Sequence, residues 1–140
     1  YDHRYPDALS ILSAADRLAS RGDSLLATRD WIAAVRAEAF AGIGDLDGCN
    51  RSLDVAEQVS YRSVASSPGG WLRFDGRHLG EERGTCYRTL GQTDLAADAL
   101  TAVLNERLSL RRQGSILTDL AAIEIDRRDT DAVLTMPAPP

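Results

Sequence analysis

Apolar residues recur along most of the chain at intervals of three and four, the spacing that gathers them on one side of an α-helix. From residue 31 the run Trp-Ile-Ala-Ala-Val-Arg-Ala-Glu-Ala-Phe-Ala-Gly-Ile-Gly-Asp-Leu-Asp-Gly-Cys-Asn-Arg-Ser-Leu-Asp-Val-Ala reads as two such helices hinged at Gly44-Asp45. Every periodic segment has the helical period and is longer than a typical strand. The pattern predicts an all-α fold of about seven helices in antiparallel pairs.

Taken in order, Pro6 serves as a first-turn proline of a helix over 6–20 that stops at Arg21-Gly22. Asp23 or Ser24 caps a long second helix reaching Gly44, and a third spans 47–60. Residues 61–75, rich in Ser, Pro and Gly, read as a loop. Helices follow at 75–90, 93–106 and 109–127, then a short one at 129–134, with Arg128-Asp129 in place of a hinge Gly-Asp. Pro137, Pro139 and Pro140 prevent continuation, so 1–134 is expected to form one domain and 135–140 a disordered tail.

The spacing around Gly44 returns around Gly91. Seven residues before the glycine stands a small residue (Ala37, Gly84), four before an aromatic (Phe40, Tyr87), and immediately before it a bulky aliphatic (Ile43, Leu90). After it come Asp47 or Asp94 at three, Cys49 or Ala96 at five, Leu53 or Leu100 at nine, and Ala56 or Val103 at twelve. Small residues let two helix backbones approach, the aromatic fills the space above, and glycine supplies the left-handed conformation that ends the first helix. A hinge aspartate can accept hydrogen bonds from the free N–H groups of the next helix. Ala37, Gly84, Cys49 and Ala96 are therefore expected at helix contacts.

This pattern resembles the tetratricopeptide repeat, a helix-turn-helix unit of ~34 residues. Ala33 stands where the family's tryptophan would fall, and Arg36-Ala37 and Arg83-Gly84 where its Leu-Gly would. The segment 71–96 with Leu117-Thr-Asp-Leu-Ala121 is similar to the C-terminal half of actinobacterial Xre-type regulators, which join a Cro-like helix-turn-helix domain to a tetratricopeptide-like sensor. The resemblance covers roughly residues 5–134. It implies a right-handed solenoid, a cytoplasmic setting, and a DNA-binding domain outside these 140 residues.

With 140 residues the chain can bury ~68–70% of its unfolded surface without metal or disulfide help. Its net charge of −5 and dispersed arginines argue against nucleic-acid binding by this segment. The sixteen cations are all arginine, as expected of a GC-rich genome. Cys49 and Cys86 fall in predicted helices at or beside packing positions and read as reduced core thiols. No apolar run approaches the ~18 residues of a membrane span.

Candidate chemistry is sparse. His3 and His78 are far apart, neither cysteine has a ligand-spaced neighbour, and no Gly-x-Ser-x-Gly or His-Glu-x-x-His occurs. Glu81 and Glu82 point about 100° apart on a helix and do not converge on one bond. Arg21-Gly22-Asp23 is accounted for by a helix cap, and Gly42-Ile43-Gly44 by a helix turn with no preceding strand or lysine. We therefore expect neither enzyme nor cofactor, and no metal site.

Function then falls to the surface. By resemblance, the concave face is lined at thirteen, ten, six and three residues before each hinge glycine: Trp31, Ala34, Glu38 and Ala41, then His78, Glu81, Thr85 and Arg88. This mixture suits a peptide or protein segment. Trp71 and Phe74 close the long loop and either pin it down or contact a partner. The first helix has no upstream mate, so the natural sequence is expected to extend before Tyr1, and the stripe Ala8, Leu12, Ala15 and Ala19, with Ile11 beside it, to be bare. A homodimer is the expected assembly, through that first helix in preference to 109–127, because its stripe is otherwise unexplained. The two roles in view are a regulator's sensor domain and a free-standing scaffold.

Overall fold

The computed structural model describes residues 4–21, 26–66 and 76–135. These residues form six helices and no strand: α1 Tyr5–Ala19, α2 Leu26–Gly42, α3 Leu46–Ser66, α4 Gly76–Thr89, α5 Thr93–Leu104 and α6 Leu110–Thr135. Each helix packs on the next in sequence, and α2 also reaches past α3 to touch α4.

The repeat is built twice from the same parts. Gly44 and Gly91 adopt φ of 80° and 71°. At the first hinge the Gly44 N–H donates to the Ala41 carbonyl at 3.0 Å and Asp45 N–H to Phe40 at 2.9 Å. At the second, Gly91 donates to Arg88 at 3.0 Å and Gln92 to Tyr87 at 2.8 Å. Both are Schellman caps, which satisfy carbonyls the helix end would otherwise orphan. The hinges differ one step later: Asp45 Oδ1 accepts the Gly48 N–H at 2.8 Å, whereas Gln92 caps nothing with its side chain.

Ala37, Cys49 and Ala96 are fully buried and Gly84 is buried as well, so all four expected contact residues lie between helices. Two apolar clusters result. One joins α2, α3 and α4 through Ala37, Ala41, Leu53, Leu79 and Cys86, and the other joins α4, α5 and α6 through Tyr87, Leu100, Val103, Ile116 and Ile123. Leu90, the residue before the second hinge glycine, packs on both. Tyr87 also donates its hydroxyl to Asn50 Oδ1 at 2.8 Å, fixing α4 on α3.

Three expectations need correction. Among the described residues the helices number six, because α6 runs unbroken through Arg128-Asp129: without a glycine nothing there favours a left-handed residue, and Arg128 pairs with Glu124 one turn back at 3.5 Å. Helix α3 continues to Ser66 instead of ending near Ser60, since polar composition does not stop a helix and the next breaker is Pro68. The α1 stripe is not bare: Ala19 is buried and Ala8, Leu12 and Ala15 are half-buried where α1 packs on α2, while Ile11 and Leu18 face outward. Trp71, Phe74 and the tail 136–140 lie outside the described residues.

Candidate functional site

The candidate face follows α2 and α4. Trp31 is 61% exposed and Glu38, two turns along the same side of α2, is exposed too, whereas Ala34 and Ala41 are buried beneath them. On α4, His78, Thr85 and Arg88 are exposed and Glu81 is half-buried. The Thr85 hydroxyl turns back to its own helix, donating to the Glu81 carbonyl at 3.1 Å.

Helix α6 closes part of this face. Arg112 donates from Nη2 and Nε to a single Glu81 oxygen, Oε1, at 2.5 and 2.9 Å, and Arg88 Nε donates to Asp126 Oδ2 at 3.0 Å. Arg127 also pairs with Asp94 of α5. Two of the eight named positions, Glu81 and Arg88, are thus tied to α6, and the open part of the face is the α2 side, around Trp31 and Glu38.

Behind the face lies an acid and thiol cluster at the α2, α3, α4 junction. The Glu82 carboxyl hydrogen-bonds that of Glu38, and burial first, then the Glu38 charge, raises its pKa to about 7. Cys86 Sγ lies 3.7 Å from Glu82 Oε1. Cys49 and Cys86 are buried free thiols. The hydrogen bond that Cys86 donates to Cys49, then burial, then the charges of Cys49 and Glu82 all push Cys86 upward, so it is held as a protonated thiol.

Asp30 is a buried carboxyl that the sequence pattern did not single out. It is 1% exposed, its Oδ2 accepts the Ser60 hydroxyl, and its Oδ1 has no hydrogen-bond partner. Burial raises its pKa and the Ser60 bond offsets part of that rise. The available signal was position: Asp30 shares the helical stripe of Ala34, Ala37 and Ala41 and was bound to be covered.

A groove of about 270 Å³ opens between α1, α2 and α3, with Asp16, Arg36, Phe40, Arg51 and Val55 among its walls. Asp16 sits 3.9 Å from Arg29 Nε and 3.7 Å from Arg36 Nη1. The groove is smaller than the ~300–1,000 Å³ of typical small-molecule sites. Among the described residues no three His, Cys, Asp or Glu side chains are grouped to hold a metal ion, and no helix is long and apolar enough to cross a membrane. No family model, curated protein or solved structure matches the chain.

Proposed function

We propose that this chain is a peptide- or protein-binding and self-associating module of the tetratricopeptide kind, stacked as a right-handed solenoid. In this reading it is the sensor half of a cytoplasmic transcriptional regulator whose DNA-binding domain lies elsewhere in the protein. The supporting observation is the hinge built twice, with the same Schellman cap, the same buried small residue seven positions earlier and the same buried leucine nine positions later. Such a unit serves as scaffold for a surface rather than for a reactive pocket. The raised carboxyls agree with that: Asp30 and Glu82 hydrogen-bond Ser60 and Glu38, and neither lines the α1–α3 groove. An exposed Trp31 with Glu38 two turns along the same side offers a flat aromatic anchor and an acid on one helix face, the combination an apolar and basic peptide would use.

Mobility-shift assays on palindromic DNA with the complete gene product and with this chain alone test the regulator reading. The complete product is expected to shift the DNA and the isolated chain to leave it unmoved. A complete product with no affinity for any DNA would leave the free-standing scaffold.

A further inference from the structure

Helix α6 buries Ile116 and Ile123 against α5 and presents a second apolar face to solvent. Leu110, Leu117 and Ile125 are 86%, 53% and 61% exposed, and Gly114 and Ala121 are exposed between them. At 100° per residue these five positions fall within about 80° of one another, a continuous stripe along a helix ~39 Å long. Large and small residues alternate along it, and a Cβ on Gly114 would meet nothing.

The charges flanking the stripe are segregated. Arg107, Arg111 and Arg112 stand at the start with no acid among them, while 119–131 carries Asp119, Glu124, Asp126, Asp129 and Asp131 against two arginines. The first turn of α6 has no acid and its last turn no base. That order opposes the helix macrodipole, which favours acids at the start and bases at the end. Arg112 and Asp126 are paired within the copy, with Glu81 and Arg88, but the order along the helix axis stays unfavourable, and an antiparallel neighbour of the same sequence sets the basic start against the acidic end.

We infer that the occupant of this face is a second copy of the chain, with α6 packed antiparallel on α6 about a two-fold axis near Asp119. Antiparallel symmetry brings together residues equidistant from the axis. Leu117 then meets Ala121 of the second copy and Ile125 meets Gly114, a large residue against a small one in each case. Leu110 meets the aliphatic stem of Arg128, and Arg111 meets Asp129 on a shared flank. All four pairs are centred on residue 119 to within one position. The inference rests on the self-association proposed above and is independent of the regulator role.

Sedimentation equilibrium of the 140-residue chain at micromolar concentration tests it. The native chain is expected to be a dimer, and Leu117→Asp a monomer with unchanged helical circular dichroism and a melting temperature that no longer depends on protein concentration. Arg111→Asp is expected to weaken the dimer about tenfold, and Arg111→Asp with Asp129→Arg to recover it. A dimer indifferent to Leu117→Asp and Ile125→Asp overturns this face while leaving self-association intact. A charge reversal that the second reversal does not rescue overturns the antiparallel register, and a native monomer overturns both readings.

Discussion

Gly84 lies directly beneath Leu100: a Cβ built on the glycine would come within 2.6 Å of both Cγ and Cδ2 of that leucine. Gly80, one turn earlier, faces Val103 as closely. The α4–α5 contact therefore depends on two missing side chains, and a buried leucine cannot retreat as the end of an exposed side chain could. Gly84→Ala is expected to destabilise by ~1–3 kcal/mol through overpacking, and Gly84→Leu by more. Urea unfolding checks this; an unchanged midpoint would mean that the two helices do not approach at this glycine.

The hinge glycines fail for a different reason. Nothing lies within 4 Å of a Cβ added at Gly44 or Gly91, so neither site has a steric neighbour to displace. The cost of substitution is conformational, because φ is 80° and 71° there. Gly44→Ala and Gly91→Ala should each lose ~1 kcal/mol, and the Asn variants less, since Asn tolerates the left-handed region better. Thermal melts of the four variants give the ranking, and Ala and Asn falling together would remove the left-handed requirement.

The hinges were legible because glycine and small residues at fixed offsets carry their physical reason in the sequence. The ends of α3 and the continuity of α6 were not, since a polar segment such as 61–66 looks like a loop unless a true breaker is required. The candidate face was legible only up to its covering. Offsets counted from a hinge glycine identify which side of α4 carries Glu81 and Arg88. They say nothing of Arg112 and Asp126, which arrive from 31 and 38 residues downstream. Asp30 was hidden by chemistry, because a carboxylate on an alanine stripe reads as an exception rather than as part of the core.

The Glu81–Arg112 pair fastens α6 to α4 with both side chains about a quarter exposed, at 29% and 23%. A partly shielded pair with two hydrogen bonds to one oxygen should couple by about 1 kcal/mol, above a fully exposed pair and below a desolvated one. A double-mutant cycle with Glu81→Gln and Arg112→Gln measures it. Coupling near zero would show that this pair does not fasten α6, leaving the apolar contact and the Arg88–Asp126 and Arg127–Asp94 pairs to hold the last helix.

Glu82 makes stability depend on pH in a direction opposite to that of most carboxylates. Its folded pKa is about 7 against an ordinary 4.5, so between those values the folded chain holds a proton that the unfolded chain has released. The Glu82 contribution to stability is then greatest below pH ~4.5, falls as pH rises toward ~7, and levels above it, following the sign of the proton difference. Asp30, raised by burial, contributes a slope of the same sign at the acid end. Because Glu82 is only partly shielded, the loss is about 1–2 kcal/mol rather than the full value of the shift. Glu82→Gln mimics the protonated acid and should flatten this part of the profile, leaving the variant more stable than the native chain at pH 8. Denaturant titrations at pH 5, 6, 7 and 8 on both proteins decide it. If the two profiles stay parallel across that range, the proton is not held at Glu82, and the Glu38–Glu82 hydrogen bond would need another explanation.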